Sequence, residues 1–226
     1  MDKYEVLKQY FGYDAFRDGQ EKMIDAITSG RDVLGIMPTG AGKSLCYQIP
    51  ALMAGENGGI TLVISPLISL MKDQVSALNQ AGVHAAYLNS SLTSGQYYKA
   101  LGYAREGRYP IIYVAPERLL TPEFLDFAVH AKIAMVAVDE AHCVSQWGQD
   151  FRPGYLKIEE FLCTLPKRPV VSAFTATATA EVRDDIIDLL KLQDPVVTTT
   201  GFDRPNLYFE VQSPKDKYAA VKTYIE

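Results

Sequence analysis

The sequence predicts an α/β protein with a doubly wound, mostly parallel sheet flanked by helices. Short apolar runs alternate with helix-like segments along nearly all of the 226 residues, and such alternation is typical of parallel sheets. The run IAMVAV at 133–138 contains no polar residue, which indicates a strand buried on both faces. Right-handed crossovers then bring the carboxyl ends of all the strands to one edge of the sheet.

The predicted strands are short apolar runs bounded by glycine, proline or polar residues. Gly58 and Gly59 precede the second of these runs, and Pro66 and Pro116 interrupt the chain after the second and the fourth. The predicted strands cover residues 33–37, 60–64, 84–88, 111–114, 133–138, 170–174 and 195–200.

The predicted helices have apolar residues at helical spacing or begin at a capping residue. Gly12 breaks the first helix and Gly30 closes the second, while Asp18 and Thr93 are the predicted N-caps. The predicted helices cover residues 4–11, 19–29, 45–53, 67–81, 93–106, 122–129, 155–165, 179–190 and 215–226. Residues 202–206 are predicted to form a loop, and residues 207–211 alternate weakly.

Composition and charge narrow the class of protein. Hydrophobic residues make up 48% of the chain and charged residues 22%, as in ordinary globular proteins. The net charge of −5 means that any nucleic acid must be held by a local patch. Three distant cysteines predict neither a zinc site nor a disulfide framework. We find no signal peptide and no run approaching the roughly 18 apolar residues of a membrane helix, so a cytoplasmic protein is expected, associated with the nucleoid if bacterial.

The segment VLGIMPTGAGKS, from Val33 to Ser44, predicts a phosphate-binding turn between a buried strand and a helix. Backbone N–H groups of the turn and the helix N-terminus would face the phosphates. Lys43 would reach the β- and γ-phosphates, and the Ser44 hydroxyl would ligate Mg²⁺. Met37 stands where the strict pattern has glycine, so a plain Gly-Lys surface turn is the alternative. The predicted phosphate-binding residues are Thr39, Gly40, Ala41, Gly42, Lys43 and Ser44.

Asp139 and Glu140 end the apolar strand at 133–138. Because parallel sheets bind ligands at their carboxyl edge, we expect both carboxylates to face the phosphate turn. Asp139 would hold Mg²⁺ together with Ser44, and Glu140 would polarise the water that attacks the γ-phosphate. Acidic residues also favour helix N-termini, but the neighbouring GKS sequence favours the nucleotide site.

For several other residues, the chemistry of the side chain alone allows two interpretations. Gln20 offers a donor and an acceptor that match adenine, or it is a solvent-facing surface residue. His142 is a sensor between two sites or a packing residue. Thr175 and Thr177 bond across to the carboxylate pair or cap the next helix. The loop with Trp147, Phe151 and Arg152 either stacks on single-stranded bases or tucks its tryptophan onto the core.

Together these motifs resemble the first motor lobe of the RecQ family of DNA helicases, within superfamily two, which has a RecA-like P-loop NTPase fold. The resemblance runs from about Leu7 to Glu210. The segments that carry it are FGYDAFRDGQ (11–20), MPTGAGKS (37–44), SPLISLMKDQ (65–74), APERLL (115–120), AVDEAHCVSQWGQDFRP (137–153) and AFTATA (173–178). The fused run from DEAH to the tryptophan distinguishes the chain from RNA helicases that share only the DEAH letters, although an RNA helicase lobe remains a weaker alternative.

The resemblance implies roles for these residues. ATP and Mg²⁺ are the implied cofactors, and the implied activity is ATP-driven 3′–5′ movement on single-stranded DNA and unwinding at duplex junctions, in repair and recombination. The implied adenine contacts are Tyr13, Arg17 and Gln20, with the Tyr13 ring stacking. The implied catalytic set is Lys43, Asp139, Glu140 and His142. The implied DNA-binding and coupling set is Gln146, Trp147, Phe151, Arg152, Thr175 and Thr177.

The chain departs from the family pattern at three positions. Asp18 replaces a usual proline, Ala41 replaces a frequent glycine, and Gln149 replaces a frequent histidine. Ala41 is compatible with the turn only if its φ is negative.

Residues 1–206 are expected to form the first lobe, and residues 207–226 the hinge and the truncated start of a second lobe. The rest of that lobe, with its arginine fingers, is expected to be missing. We therefore expect nucleotide binding with poor hydrolysis and no unwinding. The alternative is a stand-alone ATP–Mg²⁺ regulatory module.

Overall fold

The computed structural model describes residues 1–201, 208 and 210–225, and its core is a seven-stranded sheet. The strand order is β3-β4-β2-β5-β6-β1-β7, and every strand pair among the described residues is parallel. The strands are β1 Val33–Ile36, β2 Ile60–Ile64, β3 Ala85–Leu88, β4 Ile111–Val114, β5 Ile133–Val138, β6 Val170–Thr175 and β7 Val196–Thr199. All seven predicted strands are therefore confirmed, as is the parallel, doubly wound class.

Helices connect the strands in the order that the sequence predicts. They are α1 Lys3–Val6, α2 Gln20–Thr28, α3 Lys43–Gly55, α4 Ile68–Gln80, α5 Ser94–Arg105, α6 Pro122–His130, α7 Lys157–Thr164, α8 Ala180–Leu189 and α9 Lys217–Ile225. A π-helical turn, Leu7–Phe11, continues α1. Short 3₁₀ turns at Pro116–Arg118, Ala141–Val144 and Pro153–Leu156 were not predicted.

Local details correct some sequence predictions. Asp18 is not the N-cap of α2; that position is Gly19, in a left-handed conformation with φ 76° and no side-chain cap. Thr93 does cap α5, as predicted, by accepting a hydrogen bond from the N–H of Gln96. α3 begins at Lys43 and not at residue 45, because Gly42 caps it.

The carboxyl-terminal predictions are only partly covered by the structure. The predicted loop at 202–206 lies outside the described residues. Of the weakly alternating segment 207–211, the described residues 208, 210 and 211 belong to no strand. The predicted helix at 215–226 is present as α9, although Glu226 lies outside the described residues.

The sheet is covered by helices on both faces. Alternate strand residues form two apolar layers, because successive side chains of a strand point to opposite faces. α1 to α4 pack on one face, in a layer that includes Met23, Tyr47 and Phe174. α5 to α8 pack on the other face, in a layer that includes Phe124, Phe161 and Val136. Among the described residues, the helices are too short or too polar to cross a membrane.

The carboxyl edge of the sheet assembles the loops that the sequence singles out. The N–H of Met37 donates to the carbonyl of Thr175 at 2.9 Å, which joins the phosphate turn to the end of β6. The N–H of Asp139 donates to the carbonyl of Ile64 at 2.8 Å, which joins the end of β5 to the end of β2. The predicted convergence of these loops on one edge is therefore confirmed.

Candidate nucleotide and DNA site

The phosphate turn follows β1 and ends at the first residue of α3. Gly40 and Gly42 have φ values of 84° and 83°, which glycine adopts readily. A Cβ atom on Gly42 would also overlap Nε2 of Gln20. Ala41 is not among the residues with positive φ, so the condition for its replacing glycine is met.

Met37 explains why the turn closes without the first glycine of the strict motif. Its side chain is fully buried, and its sulfur lies 3.9 Å from Sγ of Cys46 on α3. The residue therefore anchors the turn to the core. Lys43 opens α3, and its Nζ donates to the Met37 carbonyl at 3.1 Å, so the ammonium lies at the carboxyl end of β1.

Gln20 and Arg17 hold the turn from outside. The guanidinium of Arg17 donates to the Gly40 carbonyl at 2.5 Å, and Nε2 of Gln20 donates to the Ala41 and Gly42 carbonyls at 3.1 Å each. Oε1 of Gln20 accepts from the backbone N–H of Arg17 at 2.8 Å. Gln20 is only 1% exposed, so the solvent-facing reading is wrong. Both ends of its amide are engaged by the protein.

One cavity of about 620 Å³ collects the predicted nucleotide residues. Its volume is within the usual range for small-molecule sites. The half-exposed ring of Tyr13 lies at its wall. All of the predicted nucleotide residues except Ala41 line it, together with both carboxylates: Tyr13, Arg17, Gln20, Thr39, Gly40, Gly42, Lys43, Ser44, Asp139 and Glu140.

The same cavity extends between α3 and α4, where sequence reasoning assigned no site. Leu45 and Gln48 of α3 face Leu70 and Gln74 of α4 across this extension. Nε2 of Gln48 donates to Oε1 of Gln74 at 2.8 Å. The spacing of Ser44 and Gln48, one helical turn apart, was the only signal in the sequence for this wall.

Asp139 and Glu140 lie at the cavity in different environments. Asp139 is 6% exposed, and burial raises the pKa of its carboxyl to about 6, with a further contribution from the charge of Glu140. Glu140 has φ 48° and ψ 46°, a left-handed conformation that is uncommon for a non-glycine residue. Its N–H donates to Oδ1 of Asp139 at 3.0 Å. Such strained residues cluster at functional sites.

Tyr155 is a residue of this site that sequence reasoning missed. It lies in the 3₁₀ turn Pro153–Leu156, is fully buried, and donates its hydroxyl to the Asp139 carbonyl at 2.8 Å. Its only signal in the sequence was its position shortly after Arg152. A tyrosine at the start of a predicted helix gives no reason to expect contact with a strand end.

His142 joins the carboxylates to the loop after β6. Its Nδ1 lies 2.9 Å from Oγ1 of Thr175 and 3.4 Å from Oε2 of Glu140. Oγ1 of Thr175 in turn donates to the Thr177 carbonyl at 3.0 Å. The capping alternative for the two threonines is wrong, because Thr179 caps α8. The predicted bond to the carboxylate pair is corrected as well, because the hydroxyl of Thr175 contacts His142, which in turn contacts Glu140.

The aromatic loop, residues 145–152, projects beside this network. The side chain of Trp147 is 79% exposed, so the reading in which it tucks onto the core is wrong. The loop is anchored at its start, where Oγ of Ser145 donates to Oδ2 of Asp185 on α8 at 2.6 Å and accepts from the Trp147 N–H at 3.1 Å. A Cβ atom on Gly148 would overlap the carbonyl oxygen of His142.

Arg152 anchors the end of the aromatic loop. Its N–H donates to the Cys143 carbonyl at 2.9 Å, and its guanidinium donates to the Pro66 carbonyl at 3.2 Å and to Oδ2 of Asp150 at 2.7 Å. Phe151 is half-buried and Gln146 is exposed. The loop therefore has fixed ends and presents one large aromatic ring to solvent.

The residues present fit Mg²⁺ bound together with a nucleotide. Ser44 and Asp139 line the same cavity. Among the residues that the structure describes, no group of three or more His, Cys, Asp or Glu side chains could hold a metal by itself. Mg²⁺ usually takes one or two protein ligands and completes its shell with phosphates and water. A hydroxyl and one carboxylate satisfy that preference.

Comparisons with known proteins agree with this geometry. The family model described as DEAD/DEAH box helicase matches residues 17–186. The chain is 49% identical over 222 residues to the ATP-dependent DNA helicase RecQ of Bacillus subtilis (strain 168), covering 98% of this chain and 37% of that protein. It is 41% identical over 223 residues to the ATP-dependent helicase wrn-1 of Caenorhabditis elegans, covering 96% and 20%. The chain thus spans about a third of the bacterial RecQ relatives.

Solved helicase structures share the fold. The DUF1998 helicase MrfA bound to DNA superposes with a TM-score of 0.71 at 17% identity, covering 88% of this chain and 29% of that one. A hypothetical ATP-dependent RNA helicase from Sulfolobus tokodaii gives 0.64 at 24% identity, covering 87% and 56%. At these identities the likeness shows the RecA-like fold alone. With the family match, it follows that the chain belongs to the DEAD/DEAH box helicase family, and RecQ helicases are among its similar relatives.

Proposed function

We propose that the chain is the ATP-binding motor lobe of a 3′–5′ DNA helicase, which couples ATP hydrolysis to movement on single-stranded DNA and to unwinding at duplex junctions. Residues 1–206 would form this lobe, and residues 207–226 would begin the connection to a second one. Its place of action would be the cytoplasm, at the nucleoid in a bacterium. Relatives described as ATP-dependent DNA helicases support the proposal.

A single observation carries the proposal: one cavity is lined by the phosphate turn, by the Tyr13–Gln20 segment and by both carboxylates. The turn and the N-terminus of α3 offer N–H groups and partial positive charge to phosphates. Lys43 would neutralise the β- and γ-phosphates, and Ser44 and Asp139 would hold Mg²⁺. When bound, that ion would offset the charge of the phosphate oxygens.

Of the remaining site residues, some would contact the adenine base and others would act on the attacking water. The exposed face of Tyr13 would stack on adenine, with Arg17 and Gln20 beside it. Glu140 would polarise the attacking water, with His142 holding its carboxylate through the 3.4 Å contact.

The aromatic loop would sense single-stranded DNA. An exposed indole is a platform on which bases stack without sequence preference, and Arg152, Phe151 and Gln146 would extend it. The contacts of His142 with Thr175 and Glu140 would carry the signal to the hydrolytic site, with Thr177 completing the network.

We further propose that these 226 residues alone bind ATP well but hydrolyse it slowly. Arg17 is the only arginine among the described residues that line the cavity, and it already bonds to the Gly40 carbonyl. The lack of an arginine on the transferring phosphate typically costs on the order of 10³–10⁵ in rate. The absence of a second arginine from the described lining of the cavity also favours the alternative, a stand-alone ATP–Mg²⁺ regulatory module.

Calorimetry and ATPase assays test the proposal. ATP with Mg²⁺ should bind the wild-type chain, and Lys43→Ala should abolish the binding heat. Retained binding in that variant would overturn the assignment of the phosphate site. Single-stranded DNA should accelerate hydrolysis more than RNA of the same length; equal acceleration would favour an RNA helicase lobe, and no acceleration the regulatory module. Full helicase-like turnover by the 226 residues alone would contradict the slow-hydrolysis proposal.

A further inference from the structure

Resting on the proposed function, in which Glu140 activates water, we propose that the hydroxyl of Tyr155 positions Glu140. Tyr155 would then be a positioning residue, acting through the backbone of the Asp139–Glu140 peptide. The hydrogen bonds and the ion pair given to Glu140 in the described structure come from residues 139–143, whereas Tyr155 lies 16 residues beyond Asp139.

The contact fixes one particular peptide. The Tyr155 hydroxyl donates to the Asp139 carbonyl at 2.8 Å inside the core. That carbonyl belongs to the peptide that links Asp139 to Glu140. A rotation of this peptide changes φ of Glu140, so the hydrogen bond opposes the rotation. The Glu140 side chain leaves the backbone at the next atom, and its direction therefore depends on this bond.

Glu140 needs such a restraint. Its left-handed backbone, with φ 48°, persists only where surrounding contacts determine it. The local contacts are its N–H to Oδ1 of Asp139 at 3.0 Å and its carboxylate to Nδ1 of His142 at 3.4 Å. Both of these contacts are made by residues of the 139–142 segment. Tyr155 supplies a restraint from outside that segment.

Tyr155 is also tied to the end of the aromatic loop. Its N–H donates to the Arg152 carbonyl at 2.9 Å, and the N–H of Arg152 donates to the Cys143 carbonyl at 2.9 Å. A displacement of the loop end would therefore move the tyrosine that holds the Asp139–Glu140 peptide. This connection is separate from the one through His142 and Thr175.

A purely structural role for the buried ring makes a different prediction. Tyr155→Phe keeps the ring and its packing and removes only the hydroxyl. If Tyr155 were only a core residue, the variant would lose stability but would keep its hydrolytic rate and the backbone geometry of Glu140. If it positions Glu140, the hydrolysis step slows while ATP affinity is retained.

The test is single-turnover ATP hydrolysis by the 226-residue chain, with protein in excess over ATP, Mg²⁺ present, and an oligo-dT strand. ATP affinity is measured separately by calorimetry. We expect Tyr155→Phe to slow hydrolysis by about tenfold, with ATP affinity changed less than about twofold. Tyr109→Phe is the control, because Tyr109 precedes β4. It therefore lies at the amino ends of the strands, whereas Glu140 lies at their carboxyl ends.

Nuclear magnetic resonance provides a second readout that needs no turnover. The backbone chemical shifts of Glu140 report its left-handed conformation, and Tyr155→Phe should move them out of that range while Tyr109→Phe leaves them unchanged. Unchanged Glu140 shifts, or a hydrolytic rate equal to that of the wild type, would overturn the role of Tyr155. Failure of the wild-type chain to bind ATP would instead overturn the proposed function, so the two failures are distinguishable.

Discussion

Arg168 and Asp32 form a bidentate ion pair at the amino ends of the strands, whereas the cavity lies at their carboxyl ends. Nη1 of Arg168 lies 3.1 Å from Oδ1 of Asp32, and Nη2 lies 2.6 Å from Oδ2. Asp32 is 3% exposed and also accepts from the N–H groups of Val171 and Gln193 at 2.9 and 2.7 Å. One carboxylate therefore ties the start of β1 to β6 and to the segment before β7.

We expect Asp32→Ala to lower the free energy of unfolding by about 3 to 5 kcal/mol, because it leaves a half-buried guanidinium and two N–H groups without their acceptor. Urea denaturation measures the loss. The control is Asp126→Ala, which breaks an exposed pair with Arg105 and should cost less than about 1 kcal/mol. Equal losses in the two variants would contradict the role assigned to Asp32.

The carboxyl of Asp139 should make stability depend on pH in the metal-free protein. Because its pKa is raised from 3.8 to about 6, the folded state holds the proton more tightly than the unfolded chain. The resulting stabilisation is fully present below about pH 4 and disappears as the pH rises through 6, a change of roughly 3 kcal/mol.

Asp139→Asn removes this titration. Urea denaturation in the presence of EDTA should therefore show a variant that gains stability over the wild type from pH 4 to pH 8. The same variant should lose the Mg²⁺ dependence of ATP binding. A stability difference that stays constant over this pH range would contradict the raised pKa.

Gln20 should contribute to binding of the phosphates as well as to binding of the adenine base. Since its amide bonds to the Ala41 and Gly42 carbonyls, Gln20→Leu should loosen the phosphate turn. We expect about a tenfold loss of affinity for ATP and a similar loss for inorganic tripolyphosphate, as two neutral hydrogen bonds are removed. Calorimetry measures both ligands. A loss confined to ATP would show that Gln20 reads adenine only.

Trp147 should be required for DNA sensing and dispensable for nucleotide binding. Trp147→Ala should weaken binding of oligo-dT by about tenfold or more, since stacking contributes roughly 1 to 3 kcal/mol per base, and should leave ATP affinity unchanged. Fluorescence anisotropy of a labelled oligonucleotide measures the change. Tyr218→Ala, at another strongly exposed aromatic residue, is the control. Unchanged DNA affinity in the Trp147 variant would contradict its role as a stacking platform.

The sheet was predictable because its strands are short, mostly apolar runs. The 133–138 segment is typical of a buried parallel strand, and the alternation of elements then indicated which side of the sheet holds the carboxyl ends of the strands. Features that depend on backbone geometry, such as the start of a helix, were harder to predict from the sequence. The N-cap of α2 was misassigned because Asp18 is a good capping residue by type, whereas the left-handed turn at Gly19 leaves it outside the helix.

The candidate site was predictable where one short segment carries the chemistry, as at Lys43–Ser44 and Asp139–Glu140. Contacts between segments that are distant in the sequence could not be predicted. Nothing local indicates that Tyr155 reaches the Asp139 carbonyl, or that Gln20 holds the phosphate turn. The surroundings of Thr175 were undecided in the sequence because capping and network roles use the same hydroxyl. Tertiary packing decides between them.

The tight approach of Gly148 to the His142 carbonyl bears on how the aromatic loop can diversify. A side chain at this position would overlap that carbonyl, so either the loop or the His142 peptide would have to move. The neighbouring Gln146 and Gln149 are exposed to solvent. The surface that we propose faces single-stranded DNA can therefore vary in sequence at the exposed tip of the loop, whereas Gly148 must remain glycine for the loop to keep its attachment.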